Sequence, residues 1–470
     1  MMKHKVIFMP HANIQYSQLP PSRREWVIEN CYRKLFDLVD RNGFRMAFEA
    51  SGRTVDEICA TNPKVMDELT ALIKNEQIEP VASPYTHFMV SNVPSSMCVH
   101  SLKRSLDAWE RATGFRPSVG WNPECSWSSD VIRIYKDAGL GSLVMDADSL
   151  LMSFSEIRKR TGLKYDVVSH SNKNKLFIIE DCLDEWPEYL KFLVRVSKAE
   201  NGLQMLFRSD CMANILLWYL MGASEEEGKE PVSAEEVAEL FIRWKNRLDR
   251  YARSHPDSEP LFIMPYAEDA EYIGSTAYFY VKHFNQARFF EPAPESVQRF
   301  EKIVKSAQEA GFELALPEDV SREGNHMENP YIEQIDDGVA WHGGTARAWL
   351  NTDYALLLDP ACESIYSGVE KLMALTGQNW NRMDCQMEKA VNALESAWVS
   401  DSRWPPAPCS PGRFNVEEAV TDLKQANGCL KSFMEKHQLM NRRSYYSPMI
   451  METQIRLTES RLMSMHYFGE

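Results

Sequence analysis

Seven short apolar runs, each typical of a buried β-strand, recur along the N-terminal part of the chain. They lie at residues 6–9, 44–48, 78–82, 118–121, 142–145, 203–207 and 261–264. Between the first two of these runs, from Trp26 to Val39, apolar residues recur at three- and four-residue spacing, which is the pattern of an amphipathic helix. Strands that alternate with such helices predict βαβ units and a parallel sheet.

Polar residues follow nearly every predicted strand, and their distribution separates two parallel-sheet layouts. An open doubly wound sheet concentrates functional residues at one switch point. A barrel of the (β/α) type carries them on the loops after all its strands. The sequence therefore predicts an α/β protein with a (β/α)7 barrel, and the open sheet is the competing layout.

Two excursions interrupt this alternation. An irregular stretch at 169–175, together with the apolar run 176–179, predicts an insertion over the barrel mouth. An acidic, turn-rich segment at 224–230 leads to Ser233 and Glu236, which are spaced as a capping box. We expect a helix from there to about residue 255.

Long helical patterns replace strand signals after Pro317. They cover residues 345–358, 365–376, 383–399, 416–437 and 446–465. Asn415 is placed as the N-cap of the fourth of these helices. We predict a catalytic barrel over residues 1–325 and a helical bundle over 326–470 that packs on the barrel and contributes to its active site.

The composition restricts the class of partner. A net charge of −15 opposes binding to nucleic acid or anionic lipid, because both are polyanions. The 10 cysteines are scattered singly, which predicts reduced thiols. No apolar run reaches membrane-spanning length, and the run at the N-terminus is too short for a signal peptide. We expect a cytoplasmic protein with a small-molecule partner.

The segment 120–127 carries the first candidate for chemistry. Glu124 lies just after the fourth predicted strand, between Trp121 and Trp127. Glycoside cleavage needs two carboxyl groups that flank the scissile bond. Asp269, after the seventh predicted strand, is the second candidate, since strands four and seven face each other across a barrel of this size. The alternative is that 268–271 is a solvated acidic loop.

Several segments in this order resemble the signature motifs of glycoside hydrolase family 57. They are Phe48-Glu49-Ala50-Ser51-Gly52, Gln77 to Tyr85, Trp121-Asn122-Pro123-Glu124, Phe207-Arg208-Ser209-Asp210, Asp269 to Gly274 and Trp341-His342-Gly343-Gly344. The family contains retaining enzymes, mostly active on α-glucans, with a (β/α)7 barrel followed by a helical bundle. The resemblance implies that fold and no metal or other cofactor.

The resemblance also assigns roles to residues. It implies that Glu124 is the nucleophile and that Asp269, protonated at rest, is the acid/base. It further implies a set of residues that bind the sugar through hydroxyls or ring faces: His11, Asn13, Glu79, Trp121, Trp127, Asp210, Glu271, Trp341 and His342.

Two positions depart from the family's pattern. Asn13 stands where the first signature has its second histidine, which places the identity of the sugar in question. The fifth signature has an aspartate shortly before Trp-His-Gly, whereas Asp336 and Asp337 lie one or two positions further out. Either aspartate would enter the site if the loop shifts.

Each helper has a structural alternative. Trp127 and Trp341 would be core aromatics, Asp210 a helix N-cap, and Glu79 a salt-bridge partner. His87 would be a supporting residue behind the site.

Three other functions stay open at this point. One is a metal-dependent enzyme like the family 38 α-mannosidases or the polysaccharide deacetylases, although His11 lacks their nearby aspartate. Another is a protein that binds α-glucan without cutting it. The third is a 4-α-glucanotransferase or an exo-acting α-glycosidase, for example an α-galactosidase, on the same scaffold.

Overall fold

The structure is a computed structural model of the chain. It describes residues 3–465 except 17, 164–175, 225–229, 259, 282–285, 324–325, 342–343, 346–349, 351 and 404–413. The predicted irregular stretch at 169–175 and the sugar-binding candidate His342 therefore lie outside the described residues.

Seven parallel strands form a closed barrel at the positions that the apolar runs predict. They are β1 Lys5–Phe8, β2 Met46–Ala50, β3 Ile78–Ala82, β4 Val119–Trp121, β5 Ser142–Asp146, β6 Gln204–Arg208 and β7 Phe262–Tyr266. From β2 to β6, each strand pairs in parallel with the next. The short extension His11–Ala12 pairs with β2, and β1 pairs with β7. The amide of Ser209 donates to the carbonyl of Met264 (2.9 Å) between β6 and β7, which closes the ring.

Helices and shorter strands surround the barrel. The helices are Arg24–Val27, Ile28–Tyr32 (a π-helix), Arg33–Asn42, Gly52–Thr61, Pro63–Lys74, Ser95–Thr113, Val131–Ala138, Ala147–Leu151, Ser155–Thr161, Leu176–Glu185, Lys191–Val194, Asp210–Met221, Ala234–Ser254, Pro294–Glu309 and Pro317–Arg322. The shorter strands are Ser197–Lys198, Gly274–Ser275, Tyr278–Val281, Gln286–Phe289, Pro292–Ala293, Glu313–Leu314, Met327–Glu328, Val339–Ala340 and Gly344–Thr345.

The capping box predicted from sequence is present. The Ser233 hydroxyl accepts from the amide of Glu236 (3.2 Å), and the Glu236 carboxylate accepts from the amide of Ser233 (2.7 Å). Two otherwise unpaired amides are thereby satisfied at the start of Ala234–Ser254.

A bundle of four long helices packs on the barrel. They are Asp353–Thr376, Cys385–Ala397, Phe414–Lys436 and Pro448–Ser464. The prediction of separate helices at 345–358 and 365–376 is wrong, because one helix runs through Pro360. Leu358 and Cys362 are fully buried on either side, so packing holds the helix together across the proline.

The prediction of Asn415 as an N-cap is also wrong. The helix already begins at Phe414. The Asn415 amide group instead donates to the carbonyl of Gln15 (2.9 Å) and ties the bundle to the loop after β1.

Two further findings concern the chain as a whole. Among the described helices, not one is both long enough and apolar enough to cross a membrane. The cysteines in the described part of the chain are free thiols, as their scattered spacing predicts.

Gly274 fixes the end of the loop that follows β7. Its φ is +111°, and a Cβ added there would lie 1.9 Å from the carbonyl oxygen of Asn30. We expect Gly274→Ala to lower the free energy of unfolding by about 2 to 4 kcal/mol, because backbone must shift and the conformation is strained for alanine. Chemical denaturation measures this loss.

Gly43→Ala is the matched control. Gly43 also has a positive φ, +62°, but nothing lies within 4 Å of the added Cβ. Its cost should be about 1 kcal/mol, from the backbone conformation alone. Equal losses for the two variants would contradict the importance of the Asn30 contact.

Candidate active site

Glu124 lies in a turn at the carboxyl end of β4, within Pro123–Cys125. Its φ of 57° and ψ of 15° are in the left-handed region, which is uncommon for a residue with a side chain and is often found at functional sites. The backbone is held from the neighbouring segment, since the amide of Trp341 donates to the Glu124 carbonyl (2.7 Å). The Glu124 side chain is 16% exposed, so it remains accessible to a ligand.

Asp269 follows β7 and faces the histidine that follows β1. Its carboxylate Oδ1 lies 3.0 Å from His11 Nε2, and the other ring nitrogen lies 3.9 Å from Oε2 of Glu49. Burial lowers the pKa of His11, but Asp269, Glu49 and Glu271 outweigh it and raise that pKa to about 9. His11 is therefore an imidazolium at neutral pH, in contact with Asp269.

The Glu124 carboxyl is buried beside other negative charges. Burial first, then the negative charges of Asp401 and Asp269, raise its pKa to about 8. Two groups lower this pKa: the Ser400 hydroxyl, which donates to Glu124 Oε1 (2.9 Å), and the charge of His11. The raised pKa therefore belongs to the predicted nucleophile, Glu124, and burial is its largest cause. That Asp269 is protonated at rest stays a prediction.

Asn13 and Glu271 organise the loop after β1. The Glu271 carboxylate accepts from the amide of Asn13 (2.9 Å) and from the hydroxyl of Tyr32, and it is fully buried. The Asn13 side chain points the other way and donates to Oδ2 of Asp401 (2.6 Å). Glu271 thus supports the loop from behind, while Asn13 connects it to the bundle.

Arg208, at the end of β6, holds a buried group of carboxylates beneath the site. It pairs with Asp146 (2.6 Å), Asp210 (2.6 Å) and Glu268 (2.7 Å). The expected sugar contact Asp210 is fully buried in this group, and the helix N-cap is Ser209 rather than Asp210.

The Trp121 ring lies between Arg208 and His11, the partner of Asp269. The Arg208 guanidinium lies 5.8 Å from the Trp121 ring, and that ring stacks on His11 at 5.6 Å. Trp121 is almost fully buried, so it acts as a wall that fixes the orientation of His11.

Other predicted residues lie apart from the two carboxyls. Glu79 lies near the amino end of β3, where its carboxylate accepts from the amide of Glu318 (2.9 Å). Asp336 pairs with Arg158 (2.8 Å), and Asp337 accepts from the amide of Ser129 (2.7 Å); both are exposed. Neither aspartate therefore takes the position that the fifth signature suggests. Trp127 is a buried core residue, and Trp341 is partly buried against the core.

Two site residues escaped the sequence interpretation, Ser400 and Asp401. They lie in the 3-10 turn Ser400–Arg403, between two helices of the bundle. A short polar turn between helices carries no periodic signal, and nothing in its local sequence indicates which part of the barrel it reaches.

One set of side chains could hold a divalent cation. Within the described part of the chain, ligand atoms of His87, Glu124 and Asp401 lie within 4.8 Å of one another. The pKa of His87 is lowered to about 3, chiefly by burial and next by His11, so its ring is neutral. In the protein as it stands, the Ser400 hydroxyl contacts both His87 Nδ1 (3.2 Å) and Glu124, and this explains the proximity without an ion.

The arrangement suits acid–base and nucleophilic chemistry. An ionised Glu124 carboxylate can act as a nucleophile, and Asp269 has a proton donor beside it in His11. The two carboxyl groups come from opposite sides of the barrel and influence each other electrostatically.

Comparison with known proteins identifies relatives of this chain. The model of glycosyl hydrolase family 57 matches residues 2–304. An α-amylase of Pyrococcus horikoshii is 25% identical over 146 residues, which cover 29% of this chain and 23% of the relative. An α-amylase of Pyrococcus abyssi is 21% identical over 324 residues, 64% of this chain and 45% of the relative. The chain thus spans less than half the length of these curated relatives.

A solved structure shares the fold. The branching enzyme of family 57 type from Pyrococcus horikoshii superimposes with a TM-score of 0.62 at 11% identity. The match covers 97% of this chain and 95% of that one. At this identity the similarity establishes the architecture, a (β/α)7 barrel with a C-terminal helical region, rather than a shared activity.

Proposed function

This chain belongs to glycosyl hydrolase family 57, and we propose that it is a retaining glycosidase that acts on the α-glycosidic bonds of α-glucans or malto-oligosaccharides. One observation supports this proposal above all: Glu124 and Asp269 follow β4 and β7 on opposite sides of the same barrel mouth, and His11 lies against Asp269. The α-amylase relatives support an α-glucan substrate.

In the first step, Glu124 attacks the anomeric carbon while the bond to the leaving oxygen breaks. Asp269 gives that oxygen a proton, which it obtains from the adjacent His11 imidazolium. In the second step, Asp269 and His11 take a proton from water, and the resulting hydroxide displaces Glu124 from the sugar. The anomeric configuration is retained because two displacements occur.

The surrounding residues divide between contact and support. Asn13, Trp121, Trp341 and His342 remain our proposed contacts to the sugar, together with His11. We assign Glu271 and Asp210 to support, because both are fully buried. We assign Glu79 a structural role, because it lies near the amino end of β3 and accepts a hydrogen bond from the amide of Glu318 there.

The pH dependence follows from the nucleophile. Since Glu124 attacks only when ionised and its pKa is raised to about 8, kcat/KM should rise with pH along an acid limb near pH 8. It should fall again as the His11 imidazolium, which supplies the proton and has a pKa of about 9, is deprotonated. Burial and Asp401 raise the pKa of Glu124 in the free enzyme. The acid limb of kcat/KM reports that free enzyme. Initial rates on an aryl α-glucoside across this range measure it, and a limb near pH 4.5, the ordinary value for glutamate, would contradict the assignment.

Two related activities use the same intermediate. If a sugar hydroxyl replaces water in the second step, the enzyme is a 4-α-glucanotransferase; if the substrate end is enclosed, it is an exo-acting α-glycosidase. A protein that only binds α-glucan would show affinity without any product.

A product profile distinguishes these cases. The protein is incubated with starch, malto-oligosaccharides, α-galactosides and aryl glycosides, and the products are separated by chromatography. We expect shorter malto-oligosaccharides from the glucans and none from the Glu124→Gln protein. Binding of malto-oligosaccharides by calorimetry without product on prolonged incubation would overturn the enzymatic proposal.

A further inference from the structure

A turn of the helical bundle reaches into the barrel mouth beside Glu124. Ser400 donates its hydroxyl hydrogen to Glu124 Oε1 (2.9 Å), and its backbone amide donates to the carbonyl of His87 (2.7 Å). The next residue, Asp401, accepts from the Asn13 side chain (2.6 Å) and lies with its carboxylate among the groups within 4.8 Å of Glu124. Barrel and bundle therefore meet at the proposed nucleophile.

The turn is built to hold its position. Arg403 is buried and pairs with Asp359 (2.7 Å) on the first bundle helix, Asp353–Thr376. The same guanidinium donates to the carbonyl of Ala397 (2.8 Å), while the hydroxyl of Thr352 donates to the Arg403 carbonyl (2.7 Å). These contacts fix Ser400 and Asp401 within the bundle before any substrate arrives.

The hydrogen bonds around Ser400 have one consistent direction. When Glu124 is ionised, the single hydrogen of the Ser400 hydroxyl goes to Glu124, so the Ser400 oxygen accepts from Nδ1–H of His87 (3.2 Å). His87 is buried, and its ring is neutral for the reason given above. The chain of donors from His87 through Ser400 stabilises a negative charge on Glu124.

We propose that Ser400 and Asp401 are positioning residues of the helical bundle that act on Glu124 in opposite senses, Ser400 favouring its carboxylate and Asp401 favouring its protonated form. The inference rests on the proposed function and extends it, since it places the working pH range of the barrel enzyme under the control of the bundle. Neither residue needs to contact the substrate for this role.

The groups that face Glu124 come from every neighbouring element. Asp401 and Ser400 come from the bundle, Asp269 from the loop after β7, His11 from the loop after β1, and His87 from the loop after β3. Among these charges Asp401 is the strongest contribution that raises the pKa of Glu124, after burial itself. Its removal should therefore have the larger effect.

The test compares the acid limb of the kcat/KM profile in two variants. Asp401→Asn removes the charge but keeps an oxygen for Asn13, and it should move the limb down by about one pH unit. Ser400→Ala removes the hydrogen bond and should move the limb up, by up to about one pH unit. Asp336→Asn is the control, because its exposed carboxylate pairs with Arg158 away from the site.

Opposite movements support the proposal, because a general loosening of the turn would move both limbs in the same direction or lower kcat alone. Unmoved limbs in both variants would overturn it while leaving the catalytic role of Glu124 intact. If the wild type has no activity on any α-glucoside, the proposed function fails instead. In that case infrared titration measures the pKa of Glu124 directly, with the Glu124→Gln protein used to identify its signal. Opposite shifts of that pKa in Asp401→Asn and Ser400→Ala support the proposal, and an unchanged pKa in both variants would overturn it.

Discussion

Glu124→Gln should lower kcat on α-glucans by roughly 10⁴-fold or more, the largest loss expected from any single substitution in this chain. The carboxamide keeps the size of the side chain and can still accept from Ser400, but it is a poor nucleophile and cannot form a stable glycosyl ester. KM should change far less than kcat, because the lost interaction is made in the reaction rather than on binding.

Glu395→Gln provides the matched control. Glu395 is likewise a buried glutamate, on the bundle helix Cys385–Ala397, with a pKa raised to about 7 by burial. It pairs with Arg104 of the barrel helix Ser95–Thr113 (2.7 Å). Folded Glu395→Gln protein should retain kcat within a few-fold. Near wild-type turnover by Glu124→Gln would remove the nucleophile from the account, and an equal loss in both variants would point to damage of the fold.

Arg208→Met is expected to lower the free energy of unfolding by about 3 to 5 kcal/mol at neutral pH. Arg208 pairs with Asp146, Asp210 and Glu268 in one buried group. Without the guanidinium these carboxylates repel one another in a site that water does not reach. Chemical denaturation with unchanged slope measures the loss.

The loss should shrink in acid, because the carboxyls can then take up protons. Burial already raises the pKa of Asp146 to about 7 even with Arg208 present, so its folded-state charge disappears as pH falls below that value. Arg158→Met is the control, since the Arg158–Asp336 pair is exposed and its removal should cost less than about 1 kcal/mol. A cost for Arg208→Met no larger than that of the control would contradict the role of the guanidinium.

Some features of this protein could be predicted because each is written within a short stretch of chain. The barrel strands are apolar runs, as in β5, so local pattern and alternation indicate both their number and their order. Glu124 and Asp269 could be found because they follow strands whose carboxyl ends must meet at one mouth. The capping box at Ser233 is local for the same reason.

Features that depend on distant contacts could not be predicted. Asp401 lies 2.6 Å from Asn13, and Ser400 lies 2.9 Å from Glu124, although both pairs are hundreds of residues apart in sequence. The raised pKa of Glu124 depends on burial and on the charge of Asp401, and the sequence around Glu124 indicates neither. Pro360 is a helix breaker by propensity, and tertiary packing overrides that propensity here.

Trapping the glycosyl-enzyme tests whether Glu124 is the nucleophile. The protein is treated with a slowly turning-over fluorinated α-glucosyl fluoride, and its intact mass and peptides are analysed by mass spectrometry. We expect one added sugar on the peptide that contains Glu124, and no label in Glu124→Gln. Label on Asp269 or Asp401, or turnover of the fluoride with inversion and no trapped sugar, would contradict the role of Glu124 as the nucleophile.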